Sequence, residues 1–292
     1  MQKIVPFLWF DTEAEEAARL YTSLFGGSAI LGTRRYGEAG PGPKGSVMTM
    51  SFRLQGLEFM ALNGGPRFRF SPAVSFFVAC AGESEIDALW RGLSPGGQVR
   101  MELGRYPFSE KFGWLSDRYG VSWQLARAGG ATRIAPFFLF VGGQAGKAEE
   151  AMRSWSSLFA ESGVRQLERF PAGRGETEGT VMHGRFALAG QEFMAMDSSR
   201  EHPFSFTPAT SLFVNCETQE EVDRLWERVS EGGEKGQCGW VTDRYGVSWQ
   251  IVPTALGTLL ADPDPRRSRR VMEAMLGMGK LDIRGLQEAG GG

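Results

Sequence analysis

One eight-residue phrase occurs twice in this chain. Asp-Arg-Tyr-Gly-Val-Ser-Trp-Gln spans residues 117–124 and again residues 243–250. Identity over eight consecutive residues indicates an internal duplication, which constrains the fold more than any composition does. The period is about 130 residues, longer than the roughly 20–50 residues of a solenoid repeat and suited to tandem globular domains. Any site that the repeated unit has is therefore present in two versions.

Other matching segments extend the duplication over most of the chain. Residues 70–78 correspond to residues 206–214, and the paired Gly-Gly and Gly-Trp dipeptides recur in both copies. Between those dipeptides the first copy has residues 98–112, whereas the second has only residues 234–238. The sequence predicts two domains and a C-terminal helical tail, with the bounds 1–128, 134–254 and 255–292.

The composition is typical of a globular protein and argues against two classes of partner. Hydrophobic residues make up 42% of the chain and charged residues 23%, with a formal net charge of −2. This charge gives no electrostatic reason to expect nucleic acid or an anionic membrane surface as a partner. No apolar run reaches the roughly 18 residues of a membrane-spanning segment, and no signal peptide is evident. We therefore expect a cytoplasmic protein whose partner is a small molecule.

Hydrophobic periodicity predicts the order strand, helix and three strands, repeated twice in each copy. Thr12 with Glu15 suggests a capping box at the first helix, and Thr218 with Glu221 suggests another in the second copy. In the tail, Asp264 before Pro265 is typical of a helix start. The expected fold class is α+β, with four βαβββ modules in the chain.

Several segments together resemble one family. They are Leu-Trp-Phe-Asp at residues 8–11, Ala-Leu-Asn-Gly-Gly-Pro at residues 61–66, and Gly-Trp followed by the repeated phrase and Ile-Val-Pro at residues 239–253. The chain resembles the PhnB-like family, labelled "3-demethylubiquinone-9 3-methyltransferase domain", of the glyoxalase, bleomycin-resistance and dioxygenase (vicinal oxygen chelate) superfamily. The resemblance covers nearly the whole chain, once per copy.

The resemblance implies tandem glyoxalase-like domains in which paired βαβββ modules form a curved, cup-shaped sheet around a pocket. Single-copy relatives in the superfamily commonly pair as dimers. A covalent duplicate can satisfy that interface within one chain, so we expect a monomer that acts as a pseudo-dimer, or a homodimer.

The resemblance also implies a divalent metal inside the cup, held by His, Glu or Gln on the first, fifth and last strands. Carried onto this sequence, those positions fall at Phe7 or Trp9, Ser75 or Phe77, and Gln124 in the first copy, and at Leu139 or Phe140, Ser211 or Phe213, and Gln250 in the second. Only the glutamines can coordinate a metal, and metal affinity needs several convergent imidazoles or carboxylates. His183 and His202 lie elsewhere and suggest structural or incidental roles. A divalent metal is therefore disfavoured as a cofactor.

The remaining candidates are polar groups and large apolar side chains near strand ends, the composition of a small-molecule pocket. The predicted ligand-binding residues are Trp9, Met60, Asn63, Trp114, Gln124, Met194, Asp197, Trp240 and Gln250. Asp117 and Asp243 precede Arg-Tyr-Gly, where a carboxylate commonly shapes a turn. If the tryptophans at 123 and 249 pack under helices, strand alternation turns the adjacent glutamines into the cup.

Two function classes remain open, with methyl transfer as a third and weaker one. The first is a binding module that holds an apolar or aromatic ligand without chemistry. The second is a lyase, isomerase or dioxygenase-type enzyme, with or without a metal site around Gln124 or Gln250. Methyl transfer usually needs a glycine-rich turn after the first strand, whereas Asp11-Thr-Glu-Ala stands there. The glycines at residues 142–146 suggest a turn that begins a helix rather than a nucleotide loop.

Overall fold

The computed structural model describes residues 1–38, 42–173 and 175–291. Within them the strands are β1 Ile4–Phe10, β2 Ala29–Arg35, β3 Val47–Leu54, β4 Leu57–Asn63, β5 Val74–Cys80, β6 Gln98–Tyr106, β7 Ser109–Ser116, β8 Ser122–Arg127, β9 Arg133–Phe140, β10 Gly163–Arg169, β11 Val181–Leu188, β12 Gln191–Asp197, β13 Thr210–Cys216, β14 Glu234–Lys235, β15 Trp240–Thr242 and β16 Ser248–Pro253. The α-helices are α1 Ala14–Leu24, α2 Glu83–Leu93, α3 Ala148–Ser156, α4 Gln219–Ser230, α5 Thr254–Leu260, α6 Pro265–Leu276 and α7 Ile283–Gly291. Across these residues, every helix is too short or too polar to cross a membrane.

The strands form two eight-stranded mixed sheets, and each sheet takes one module from each copy. Sheet 1 has the order β14-β15-β16-β13-β1-β4-β3-β2, and sheet 2 has the order β10-β11-β12-β9-β5-β8-β7-β6. The copies join where β1 pairs antiparallel with β13 in sheet 1 and where β5 pairs antiparallel with β9 in sheet 2. The α+β fold of βαβββ modules is confirmed, and each sheet is completed across the two copies.

Helices cover one face of each sheet and join the two sheets within a copy. In the first copy a single buried cluster unites Tyr21 of α1 and Leu89 of α2 with Phe52 of sheet 1 and Trp123 of sheet 2. The second copy repeats this with α3 and α4. The face of sheet 1 opposite α1 and α4 is called cup 1, and the face of sheet 2 opposite α2 and α3 is called cup 2. Because strand side chains alternate between faces, half of each strand faces its cup.

The first helix begins differently from the prediction. Its N-cap is Glu13, which makes no side-chain capping bond, so the proposed box of Thr12 with Glu15 is wrong. Asn63 instead accepts the Ala14 N–H at 2.8 Å from the end of β4. A distant amide therefore satisfies an N–H that the helix leaves unpaired. In the second copy, Thr218 does accept from the Glu221 N–H, as expected for a cap.

The C-terminal tail packs against cup 1. Val252 from the end of β16 joins one buried cluster with Leu256, Val271 and Leu281 of the tail, and Phe213 packs against that cluster. Backbone bonds fix the contact, since the Cys238 N–H donates to the Met278 carbonyl at 2.7 Å. The tail meets the second copy where its hairpin is reduced to the short β14 and β15. Asp264 caps α6 ahead of Pro265, as its sequence predicts.

Candidate functional site: two cups and one open cavity

The last-strand glutamines face the cups, as strand alternation predicts. Trp123 and Trp249 are fully buried on the helix-covered faces. Gln124 donates through Nε2 to Ser75 Oγ at 2.9 Å in cup 2. Gln250 makes the same bond to Ser211 at 3.0 Å in cup 1. Both cups therefore have the same polar pair on their floor.

The aspartate of the repeated phrase is a buried acceptor rather than a ligand group. Asp243 Oδ1 accepts the backbone N–H groups of Tyr245 and Val247 across the turn. Its Oδ2 accepts the indole N–H of Trp155 at 2.8 Å and that of Trp249 at 2.9 Å. Burial raises the pKa of Asp243 to about 6, although these N–H donors favour the carboxylate. The predicted turn role is correct, and the carboxylate also ties α3 to sheet 1.

The first copy has the same arrangement with one different partner. Asp117 Oδ1 accepts the backbone N–H groups of Tyr119 and Val121. Its Oδ2 accepts the Trp123 indole N–H at 2.9 Å and the Tyr21 hydroxyl at 2.7 Å. Burial raises the pKa of Asp117 and of Tyr21. A hydroxyl that can both donate and accept thus replaces the indole of Trp155, which only donates.

Asn63 and Asp197, both predicted to bind ligand, are engaged at helix starts. Asn63 Nδ2 donates to the Val47 carbonyl at 3.0 Å, while its oxygen holds the start of α1. Asp197 accepts the backbone N–H groups of Gly146, Ala148 and Val181 at distances of 2.8–3.1 Å. The glycine-rich segment at residues 142–146 therefore forms a turn that begins α3. We leave both residues out of the candidate site.

Cup 1 collects Trp9, Met60, Trp240 and Gln250 of the predicted site residues. The Trp9 and Trp240 ring centroids lie 6.0 Å apart, and Trp9 donates its indole N–H to the Gly65 carbonyl at 2.8 Å. Met60 stands beside Phe7 in the sheet register, and Trp240 stands beside Gln250. The tail packs against this same cup at Phe213 and Val252.

Cup 2 collects Trp114, Gln124 and Met194. Of these three, Met194 lines a cavity of about 620 Å³, which the N-terminal residues Met1–Lys3 and the β3–β4 turn at Gln55–Leu57 also wall. The cavity walls are Met1, Gln2, Lys3, Gln55, Gly56, Leu57, Phe77, Ala79, Ala128, Arg133, Ile134, Ala135, His183, Arg185, Ala189, Gly190, Gln191, Glu192 and Met194. Trp114 packs with Met194 in the adjoining apolar cluster. Cup 2 therefore combines an apolar wall with a polar rim.

Two polar residues of this wall have no equivalent in the first copy. His183 and Arg185 stand where the first copy has Thr49 and Ser51. Burial lowers the pKa of His183, which favours the neutral imidazole. Arg185 donates to Glu192 at 2.8 Å, and this bond raises its pKa. The sequence predicted only a structural or incidental role for His183. The replacement of Thr49 of the first copy by His183 in the second was the feature that could have pointed to a site.

The positions that the resemblance assigns to metal ligands do not fit a divalent metal. In cup 1 they bring together the Phe7 ring, the Ser211 hydroxyl and the Gln250 amide. Cup 2 presents Ser75 and Gln124 at the matching places, with Leu139 in the adjoining apolar cluster. A neutral hydroxyl and amide already bonded to each other supply no charged or imidazole donor. No step of a mechanism is therefore assigned to a metal here.

Comparison with known proteins identifies a family over both copies. The sequence profile of a family described as "3-demethylubiquinone-9 3-methyltransferase" matches residues 2–126 and again residues 132–252. A protein from Bacillus cereus with the same description and the name PhnB is 50% identical, and the match covers 44% of this chain and 100% of that chain, with a TM-score of 0.42. A protein from Pseudomonas aeruginosa is 25% identical over 44% of this chain and 100% of that chain, with a TM-score of 0.39.

A longer match concerns the fold alone. Glyoxalase I from Zea mays is 10% identical, and the match covers 84% of this chain and 92% of that chain, with a TM-score of 0.54. A match of this identity shows a shared fold. No protein among the curated ones matches the chain.

Proposed function

Because the chain belongs to the 3-demethylubiquinone-9 3-methyltransferase (PhnB-like) family of the vicinal oxygen chelate superfamily, we propose that it binds a small apolar or aromatic molecule in cup 2. The observation that carries the proposal is the cavity of about 620 Å³ in that cup. Ligand pockets commonly measure about 300–1,000 Å³ and combine apolar walls with a few polar groups. Cup 1 is assigned no ligand, because the tail packs against it.

The apolar wall supports a ligand with a ring or a branched hydrocarbon body. Phe77 and Ala135 stand side by side on paired strands, and Met194 lies on the next strand. Met194 and Ala135 are buried, so a bound molecule in contact with them loses its hydration over that part. Burial of apolar surface stabilises a complex by about 25 cal/mol per Å² before ordering costs are subtracted.

The polar rim supports one hydrogen-bonding group on the same ligand. The neutral imidazole of His183 can donate from one ring nitrogen and accept at the other. Arg185 forms an ion pair with Glu192, so the carboxylate offsets the charge of the guanidinium. The guanidinium retains further N–H groups that can donate to a ligand. A hydroxyl, ketone or phenol fits this set better than a full charge does, because the ion pair is already balanced.

A neutral fluorescent probe tests the site. N-phenyl-1-naphthylamine should bind wild type saturably with one site per chain, and Ala135→Phe should weaken it by about tenfold or more by filling the cavity. Val5→Phe is the matched control, since Val5 faces Phe213 in cup 1 as Ala135 faces Phe77 in cup 2. Thermal melts check that both variants fold. Absence of saturable binding, or equal loss in the two variants, would refute cup 2 as the site.

His183 favours a second candidate, an enzyme that moves a proton on a carbonyl compound. A half-buried imidazole with a lowered pKa is neutral at physiological pH and can act as a base. Solvent deuterium incorporated into small ketones, followed by proton NMR, should then depend on the wild-type protein and disappear in His183→Thr. Incorporation that is unchanged in this variant removes the candidate.

Methyl transfer, which the family description names, makes a separate prediction. It requires saturable binding of S-adenosylmethionine, and binding in cup 2 would displace the naphthylamine probe. Saturable displacement of the probe from wild type by S-adenosylmethionine would favour a methyltransferase over the binding-only proposal. No displacement at millimolar S-adenosylmethionine would leave the binding module as the better account.

A further inference from the structure

A second cavity lies beside the long hairpin β6–β7, the segment that the second copy lacks. It measures about 550 Å³. Its walls include Trp9, Asp11, Glu13, Phe68, Arg100 and Tyr119. None of these residues lines the cavity of cup 2. We call it the hairpin cleft.

Arg100 of β6 is the unusual residue of the hairpin cleft. Its guanidinium carbon lies 5.9 Å from the Trp114 ring centroid and 5.6 Å from that of Phe204. Nε donates to Ser116 Oγ at 3.2 Å, and Nη2 donates to Gln98 Oε1 at 3.2 Å. Burial between these groups lowers the pKa of Arg100. Removing a cation from water is costly unless an opposite charge compensates it.

No carboxylate supplies that compensation in the part of the chain that the structure describes. The ion pairs found there leave out Arg100, whereas the neighbouring Arg118 pairs with Glu16 at 3.2 Å. A guanidinium has five N–H donors, and Arg100 directs its bonds only to a neutral hydroxyl and a neutral amide. Donors therefore remain for an oxyanion, and the cation–π contacts hold the fork in place.

The second copy has no comparable group. There the paired glycines lead to Glu234, where the first copy has Gln98, and the shortened hairpin has no arginine. The position next to the glycines is thus neutral in the first copy and acidic in the second, where the following Lys235 pairs with Glu227. The difference belongs to the long hairpin and has no part in the cavity of cup 2.

Aromatic rings line the same cleft. The Trp9 and Phe68 ring centroids lie 5.0 Å apart in an edge-on arrangement, and Tyr119 stands on another wall. Asp11 and Glu13 also line the cleft and disfavour ligands of high negative charge. A singly charged carboxylate is repelled by these groups less than a multiply charged phosphate is, and its planar shape matches a guanidinium fork.

We propose that the hairpin cleft binds a small aromatic carboxylate, with the carboxylate on Arg100 and the ring against Trp9 and Phe68. This site is independent of the function proposed for cup 2. Its ligand is anionic, whereas that of cup 2 is neutral, and the two cavities share no residue.

Isothermal titration with 2-naphthoate and its neutral analogue 2-naphthamide tests the site. Wild type should bind naphthoate saturably. It should bind naphthamide with an affinity lower by about tenfold or more, because the charged hydrogen bond between Arg100 and the carboxylate is lost. Arg100→Gln should weaken naphthoate by about tenfold or more, and Arg100→Lys by less, because the charge remains without the fork. Arg105→Gln is the matched control, an exposed arginine of the same strand.

The cup 2 variant keeps the two sites apart. Ala135→Phe should leave naphthoate binding unchanged, since Ala135 lines the cavity of cup 2 and not the hairpin cleft. Equal affinity for naphthoate and naphthamide, or equal effects of Arg100→Gln and Arg105→Gln, would overturn the proposal. Loss of naphthoate binding in Ala135→Phe would also overturn it. So would the absence of naphthoate binding to wild type that circular dichroism shows to be folded.

Discussion

The two cups have the same floor and different covers. Each carries a glutamine that donates a hydrogen bond to a serine. Each also carries a methionine and a tryptophan on neighbouring strands. The three helices of the tail pack against Phe213 and Val252 of cup 1, whereas Met194 of cup 2 lines a cavity of about 620 Å³. Duplicate residues therefore do not imply duplicate sites, because what packs over a sheet decides whether a molecule can reach it.

The difference between the cups lies outside the repeated strands. The second copy has a short hairpin, and the tail makes backbone bonds to Cys238 and Gly239 beside it. The first copy keeps the long β6–β7 hairpin, which brings Arg100 to the hairpin cleft. The two copies thus differ in the length of one hairpin. The short hairpin stands beside the tail that packs against cup 1, and the long hairpin carries Arg100.

The largest expected effect concerns the buried aspartates that clamp each sheet to a helix. Asp243→Asn should lower the free energy of unfolding by about 3–5 kcal/mol, because an amide N–H then faces N–H donors. Asp117→Asn should cost about 1–2 kcal/mol less, since the Tyr21 hydroxyl can turn and accept. Guanidinium unfolding measures both. Equal losses in the two variants would show that the clamps do not differ.

The cover of cup 1 gives the next effect. Leu281 is fully buried in the tail cluster, so Leu281→Ala should lower the free energy of unfolding by about 2–5 kcal/mol. Leu276→Ala, at an exposed position of the same tail, should change it by about 0.5 kcal/mol or less. Chemical unfolding and limited proteolysis of the tail provide the measurement. A tail that merely rests on cup 1 would give both variants wild-type stability.

The smallest expected effect compares the two helix starts. Asp197→Ala leaves three backbone N–H groups without their acceptor and should cost about 2–3 kcal/mol. Asn63→Ala removes one accepted bond and one donated bond and should cost about 1 kcal/mol. Thermal melts rank the pair. A larger loss for Asn63→Ala would contradict the assignment of these residues as matched caps of unequal strength.

Much of the local structure could be predicted from the sequence. The repeated phrase gave the duplication, periodicity gave the modules, and alternation placed Gln124 and Gln250 opposite the buried tryptophans. These features depend on residues within a few positions of each other. The turn role of Asp117 and Asp243 follows from the same short-range chemistry.

Long-range partners were beyond reach of the same reasoning. Thr12 and Glu15 have the spacing of a capping box, yet Asn63 from 49 residues away holds the helix start. His183 acquires a place at a cavity only after two copies share sheet 2. The pairing of β1 with β13 is made by backbone N–H and C=O groups. Because these groups do not depend on the side chain, no side-chain pattern predicts the pairing.

The exchange of modules between copies has a consequence for how the chain assembles. Cutting between residues 127 and 133 would leave each half with two unpaired strand edges, and the halves would then have to find each other by diffusion. The short connection makes that encounter intramolecular, at an effective concentration in the millimolar range. Each eight-stranded sheet of the intact chain is therefore built from strands of one chain.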